Sequence, residues 1–238
     1  ESDHWVGRRA TSGVTDTITA LTRAHARDRC CAMHPNPAFR QTPSARNLAF
    51  AGERGFGILT VNGPNGPLAA HVPFILSADG GVAECHLVRS NPVARALDVP
   101  QPALLAVSGP DAYVSPDWYG TDHQVPTWNY VAVHLRGTLA LLSEDDMRPH
   151  LDALSARFED RLRPKKPWLT GKMPEDTLTR MMRQIIPARL KIADIQGTWK
   201  INQNKPAEAR LAAARHLANS PVGSDPAAIA ALMGDPPA

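Results

Sequence analysis

Short apolar runs with a period near two, separated by turn residues, dominate residues 56–143. FGILTV at 56–61 is followed by the turn residues NGPNGP and then by LAAHVPFIL at 68–76, which predicts a β-hairpin. Further strand-like runs follow at 82–88, at 103–109, at 111–115 and at 128–143, the last of them broken near Gly137. Because no helical pattern longer than about two turns separates these strands, an antiparallel barrel or sandwich is favoured over a doubly wound α/β sheet.

Helical patterns flank this region and follow it. Asn91 with Pro92 predicts the cap and first residue of a helical turn or two, and Ser143 predicts the start of a helix. That helix has one apolar face, made of Met147, Leu151, Leu154 and Phe158. A second helix is predicted at 174–186, stopped by Pro187, with Leu178, Met181, Met182 and Ile185 facing inward. Residues 188–202 predict a strand, 206–219 a third helix, and 225–234 a short final helix.

Composition excludes several classes of protein. The 238 residues are 43% hydrophobic, which is ample for a core, and the net charge of +3 excludes a polyelectrolyte tail or a DNA-coating protein. Three Cys, two of them adjacent, exclude a disulfide framework and a four-Cys zinc site. No apolar run approaches the roughly 18 residues of a transmembrane helix, and the first residues contain no secretory signal. We therefore expect a cytoplasmic protein.

Three segments are expected along the chain. Residues 1–32 are rich in Arg and carry no motif, so we interpret them as an extension that is disordered or not native; the alternative is a genuine arm that docks on the body. The barrel domain is expected at 33–202, and a C-terminal helical segment at 203–238.

Metal and thiol chemistry are disfavoured by the pattern. His71, His86 and His134 lie on three separate predicted strands without the i, i+4 spacing of a zinc protease, so isolated, hydrogen-bonded barrel histidines are favoured over a metal triad. Cys85 sits mid-strand, with His86 pointing to the other face, and burial is the better interpretation. The chain has no GxSxG, Walker or GxGxxG motif.

Four segments instead combine aromatic residues with Asn, Arg and His. They are AHVPF (70–74), ECHLVRSNP (84–92), YVSPDWY with VPTWNYVAVHLRG (113–137), and KINQNKP (200–206). Rings supply stacking area and polar groups bond the edge of a flat heteroaromatic ligand, while RSNP offers a guanidinium, a hydroxyl and backbone N–H groups to a phosphate. Barrel corners packed only for stability remain an equal alternative.

These segments closely resemble the PaiB-like family of FMN-binding negative transcriptional regulators, from MHPNPAF at 33–39 to QNK at 203–205. The resemblance implies an α+β protein, mainly β: an FMN-binding split β-barrel with peripheral helices and a C-terminal helical extension. It also implies a homodimer with FMN in the cleft between subunits. DNA is a possible partner by resemblance only.

The resemblance also implies roles for single residues. The isoalloxazine edge would be lined by His71, Val72 and Pro73. The ribityl phosphate would be held by His86, Arg89, Ser90 and Asn91. Trp128, Asn129 and Tyr130 would close the site from the partner subunit, with Gln203 and Lys205 approaching the flavin. Glu84 departs from the small residue expected there, and by alternation it shares a face with His86.

The function itself stays open at this point. The chain has no clear helix-turn-helix pattern. Its densest basic cluster is formed by Arg157, Arg161, Arg163, Lys165, Lys166 and Lys172. A solvated helix end is the favoured interpretation of that cluster over a DNA-facing patch. The alternatives to a regulator are an FMN-dependent oxidoreductase of the reductase or oxidase type and a flavin-binding sensor without DNA contact.

Overall fold

The computed structural model describes residues 32–237, so the expectation for residues 1–32 falls, but for Ala32, outside the described residues. All elements below belong to the unit Asn36–Ala238. The strands are β1 (Phe56–Gly63), β2 (Gly66–Leu76), β3 (Val82–Val88), β4 (Gln101–Val114), β5 (Thr127–Leu141) and β6 (Ile185–Lys200). The helices are α1 (Ser44–Arg54), α2 (Pro92–Arg95), α3 (Met147–Glu159), α4 (Glu175–Met182), α5 (Ala207–Leu217) and α6 (Pro226–Gly234). None of the helices described over residues 32–237 is long and apolar enough to cross a membrane.

The six strands form a closed antiparallel barrel in the order β1-β2-β3-β6-β5-β4, so β1 pairs with both β2 and β4. The period-two pattern of the sequence sends alternate side chains inward, where Leu59, Val72, Val133 and Leu135 are almost completely buried. The intervening residues face outward. The predicted antiparallel barrel with peripheral helices is therefore confirmed.

Two strand predictions need correction. Residues 101–114 form one strand, not two, because a β-bulge absorbs one extra residue between Ser108 and Asp111 while the ladder with β5 continues. Strand β5 likewise runs unbroken through Gly137, where the ladder with β6 shifts register. Pro110 and Gly137, at which the sequence pattern predicted strand breaks, lie instead at irregular positions of continuous ladders.

The helix predicted at 174–186 ends early, at Met182. Ile185 opens β6 and pairs with Val88, because β-branched residues at this point gain ladder partners on β3. Pro187 does not stop a helix; it lies inside β6, and its carbonyl accepts a hydrogen bond from Leu142. The prediction that Met181 faces inward is also wrong, since it is 53% exposed.

Helix α1 was not predicted from the sequence. It ends at Gly55, whose positive φ of 58° is the left-handed stop that glycine allows. The helix packs against β6, where a side chain at Gly197 would collide with the amide of Asn47. That amide accepts a 2.8 Å hydrogen bond from Trp199 Nε1. Gly55 is the feature of the sequence that indicates the end of this helix.

Helices α5 and α6 build a second apolar cluster beyond the bulge. They pack against the last part of β4 and the turn at Pro116–Tyr119. Its buried members are Ala112, Val114, Tyr119, Ile201, Ala209, Ala213, Ala214, Leu217, Ile229 and Met233. The C-terminal helices are therefore joined to the barrel through β4, whose last residues belong to this second cluster.

Candidate flavin site

The outward surface of β1, β2, β4 and β5 carries exposed aromatic side chains. Phe56 and His71 are neighbours on β1 and β2, with ring centroids 6.4 Å apart. Tyr113 and Trp128 lie directly opposite each other on β4 and β5, edge to face, with centroids 6.2 Å apart. These outward residues form two separate patches, one of Phe56 and His71 on β1 and β2 and one of Tyr113, Trp128 and Tyr130 on β4 and β5. We call the two patches together the aromatic face.

Exposure distinguishes this face from a packed corner. Phe56 is 49% and Trp128 47% exposed, although large rings gain most when they are buried. Trp128 therefore points out of the barrel core, as strand alternation requires when Val131 and Val133 face inward. Pro73 is half-buried beside this face, whereas Val72 turns inward into the core. Only the backbone of Val72 is then left for an outside ligand.

Two polar groups on the outward side lack partners. His134 and Thr198 share the outward parity of Tyr130, since Ala132 lies opposite Thr198. His134 Nδ1 and Thr198 Oγ1 are buried atoms without a hydrogen-bond partner in the described structure. Burial, followed by the charge of Arg136, lowers the pKa of His134, which favours the neutral ring. Buried polar atoms of this kind are normally paired, so they are candidate contacts for a ligand or a second chain.

Asn129 faces away from the aromatic face. It is fully buried, and its Nδ2 donates to Met233 Sδ of α6 at 3.4 Å. Its Oδ1 has no partner among the described residues. A ligand reaches this amide only if α6 moves, so the structure separates Asn129 from Trp128 and Tyr130 although the three are adjacent in sequence.

The turn after β6 is organised by the two residues predicted there. Gln203 accepts from the amide of Ile201 at 3.0 Å and donates to the carbonyls of Ala38 and Trp199. The Nζ of Lys205 lies 4.4 Å from the centroid of the Tyr119 ring, with Gln124 as a hydrogen-bond partner. Both side chains thus already hold local structure at the end of the barrel where β5 begins.

The polar part of β3 is covered by α3. His86 Nδ1 and His150 Nε2 lie 3.1 Å apart, which joins the strand to the helix. Burial lowers the pKa of His86, and burial followed by the charge of His86 lowers that of His150 to about 4. The carboxylate of Glu84 accepts two hydrogen bonds from Arg189, at 2.9 and 2.6 Å. Glu84 does share a face with His86, and Arg189 neutralises its charge.

Arg89, which follows the end of β3, lines a cleft of about 360 Å³ between β6, α3 and α4. Its Nε donates to the carbonyl of Arg183 at 2.8 Å, and its Nη2 donates to Glu144 at 2.7 Å. Arg148 and Arg183 line the same cleft. Three arginines and the carboxylates of Glu144 and Asp145 thus line a space large enough for a phosphate. The guanidinium of Arg148 is already paired with Asp152 and Glu175.

Ser90 and Asn91 differ in what they can offer. Ser90 is exposed. The Oδ1 of Asn91 caps α2 by accepting from Val93 at 2.8 Å, and the amides of Arg89 and Asn91 donate to the carbonyls of Gln184 and Val88. Two of the three backbone amides expected to meet a phosphate are therefore engaged.

The predicted residues therefore form two groups in one chain. His71 and Pro73 lie on β2, beyond the point at which its ladder with β3 ends at Phe74 and Cys85, and Arg89 follows the end of β3. Trp128 and Tyr130 stand at the start of β5, separated from β3 by β6 on one side of the barrel and by β2, β1 and β4 on the other. One chain does not bring both groups around a single ligand.

Two other chemistries can be judged from the same geometry. Within residues 32–237, no three His, Cys, Asp or Glu side chains are grouped to hold a metal. Cys85 is buried as expected, and burial raises the pKa of its thiol to about 12, so it is not a nucleophile in this state.

The basic cluster of the sequence is largely engaged in local contacts. Arg157 and Arg161 donate to the carbonyls of Gly52 and Glu53, at 3.2 and 2.7 Å. Arg163 pairs with Asp160, and Lys165 with Glu159. This arrangement fits the solvated helix end better than a surface that tracks a phosphate backbone.

Comparison with known proteins agrees with this geometry. A family model described as "Putative FMN-binding domain" matches residues 33–194. The chain is 30% identical over 169 residues to "Protease synthase and sporulation protein PAI 2" of Bacillus subtilis, covering 70% of this chain and 80% of that protein. It is 27% identical over 206 residues to an uncharacterized protein of Aspergillus fumigatus, covering 65% of this chain and 78% of that protein.

Among solved structures, the chain is similar to the FAD and heme binding protein from Mycobacterium smegmatis. The TM-score is 0.53 at 19% identity, covering 78% of this chain and 82% of that one. At this identity the likeness concerns the fold alone, and it agrees with the closed barrel described above.

Proposed function

This chain belongs to the FMN-binding domain family, with FMN as its flavin cofactor, and on that premise we propose that it works as an FMN-binding homodimer in negative transcriptional regulation of the PaiB type. The observation that carries the proposal is the aromatic face, on which Phe56 and Trp128 are about half exposed, together with the unpartnered atoms of His134 and Thr198 on the outward side of the barrel. A flat heteroaromatic ring satisfies both by stacking and by bonding at its edge.

The residues present fit FMN in both of its parts. The phosphate would be held by Arg89, with Ser90 beside it, in the cleft that Arg148 and Arg183 also line. The ring would lie against His71 and Pro73 on β2, the strand next to β3 in the barrel. When bound, FMN supplies reversible acceptance of a hydride or of electrons.

The second group of residues supports a dimer. Trp128 and Tyr130 cannot close over a flavin held by the Arg89 cleft of their own chain, because β6 or three other strands intervene. The same residues from a second copy would cover the ring and exclude water from it. Burial of exposed rings at a subunit contact is typical of interface anchors.

Regulation rests on the PaiB likeness and not on a DNA-binding surface. Four of the six cations of the basic cluster are engaged by carbonyls or carboxylates of the described residues. Only Lys166 and Lys172 of that cluster are then left for a phosphate backbone. We therefore expect the flavin-bound dimer to act through a partner or through weak, strongly salt-dependent DNA contact.

Titration of the purified protein with FMN and riboflavin tests the proposal. Quenching of flavin fluorescence with tighter binding of FMN than of riboflavin supports the phosphate cleft. Light scattering that gives a monomer at micromolar concentration with FMN bound would refute the dimer. Bleaching by NAD(P)H with turnover in air would indicate an oxidoreductase, and salt-dependent retention of promoter DNA would indicate direct regulation.

A further inference from the structure

The guanidinium of Arg89 is held at two of its nitrogens. Arg183, which follows the last residue of α4, accepts from Nε with its carbonyl at 2.8 Å. Glu144 accepts from Nη2 at 2.7 Å. The carbonyl bond fixes the direction of the guanidinium, and the carboxylate occupies one of its terminal nitrogens, Nη2, in the cleft that both residues line.

Glu144 is held in that place by its own turn. It lies in the 3₁₀ turn Glu144–Asp146, and the hydroxyl of Ser143 caps this turn by accepting from the amide of Asp145 at 3.3 Å. The side chain of Glu144 is 73% exposed, so it can swing into water while the turn keeps its position. The pair is thus an ion pair at the mouth of the cleft and not a buried structural one.

We propose that Glu144 occupies Arg89 in place of the ligand phosphate and must be displaced before FMN binds, so that it acts as an internal competitor at the phosphate site. This inference rests on the proposed function. A carboxylate and a phosphate offer the same chemistry to a guanidinium, namely a negative charge on oxygens that accept paired hydrogen bonds. The phosphate carries about twice the charge of the carboxylate and therefore wins the exchange.

The size of the effect follows from the kind of ion pair. In an exposed ion pair of this kind, the paired form is roughly one to five times as populated as the open form. An internal competitor reduces apparent affinity by the fraction of molecules in which the site is open. Removing the carboxylate should therefore tighten FMN by about two- to sixfold. Riboflavin has no phosphate and should bind unchanged.

The experiment compares Glu144→Gln with Asp145→Asn in the full chain, using FMN and riboflavin as probes in fluorescence titrations. Asp145 is the matched control: it belongs to the same turn, lines the same cleft and changes the net charge by the same amount. Because both side chains are exposed, both variants should keep the wild-type denaturation midpoint, which is measured in parallel.

Selective tightening of FMN in Glu144→Gln, with riboflavin unchanged and Asp145→Asn like wild type, supports the proposal. In an Arg89→Ala background the same Glu144→Gln change should have no effect on FMN. Unchanged or weaker FMN binding in Glu144→Gln overturns it, as does equal tightening in Asp145→Asn, which would be a general charge effect. A wild-type protein that binds neither flavin would instead refute the proposed function, and the inference with it.

Discussion

The contact between His86 and His150 should make the stability of the fold depend on pH. Their nitrogens lie 3.1 Å apart between β3 and α3, and His150 is 3% exposed. Burial, followed by the charge of His86, lowers the pKa of His150 from 6.5 to about 4, although Glu84 acts in the opposite direction. The charged groups facing the pair are Glu84 and its partner Arg189.

The sign follows from proton binding. Between pH 6.5 and about 4 the unfolded chain protonates this imidazole and the folded chain does not, so the free energy of unfolding falls as the pH falls. The contribution is complete above pH 6.5 and lost by about pH 4. With these two pKa values, linkage gives a loss of about 1–2 kcal/mol between pH 7 and pH 5, allowing for relaxation of α3.

Urea denaturation of wild type and His150→Leu at half-unit steps from pH 5 to pH 7 measures this directly. Other groups titrate in both proteins, among them Asp79 and Glu159, whose pKa values hydrogen bonds lower. They cancel in the difference between the two curves. We expect the difference in the free energy of unfolding to shrink steadily towards pH 5. Curves that stay parallel within about 0.5 kcal/mol, the range of ordinary surface substitutions, would refute the reasoning.

Three further predictions concern the site and the barrel. Trp128→Ala should weaken FMN and the dimer together, by about 1–2 kcal/mol each, because one exposed ring serves both; flavin titration and light scattering test this, and a loss in only one of them contradicts it. Arg89→Ala should weaken FMN about ten- to a hundredfold and leave riboflavin nearly unchanged; equal loss for both flavins would mean that Arg89 acts through folding. Gly137→Ala should lower the free energy of unfolding by about 3 kcal/mol, the upper end of the usual cost of overpacking, since its side chain would collide with the carbonyl of Lys191. Gly171→Ala, which has nothing within 4 Å, should stay near wild type, and similar denaturation midpoints for the two variants would contradict the collision.

Local patterns in the sequence predicted the barrel because each strand carries its own signal. The run VAECHLV became β3 with its predicted bounds, and Asn91 caps α2 as its position before Pro92 indicates. Alternation along β5, with Val131 and Val133 inward, also accounts for Trp128 facing outward and Asn129 inward. These features depend on neighbours along the chain, which the sequence shows.

Contacts between distant residues were not predictable in the same way. His86 meets His150 across 64 positions, Arg89 meets Glu144 across 55, and Asn129 meets Met233 across 104. Each depends on where a helix settles on the sheet, which no periodicity encodes. Phe56 was missed, and Tyr113 was given no role within its segment, because only the strand register shows that Phe56 lies beside the strand of His71 and Tyr113 opposite Trp128.

The bulge in β4 has a consequence for insertions and deletions. Three residue steps on β4, from Ser108 to Asp111, match two on β5, so this stretch is one residue longer than its ladder requires. Loss of Pro110 would shorten the chain and leave Tyr113 opposite Trp128, whereas loss of one residue from a regular stretch of β4 would reverse every side chain beyond it. Relatives that lack one residue in this bulge can therefore keep the same aromatic face. A gap at this position of a sequence alignment does not by itself indicate a different site.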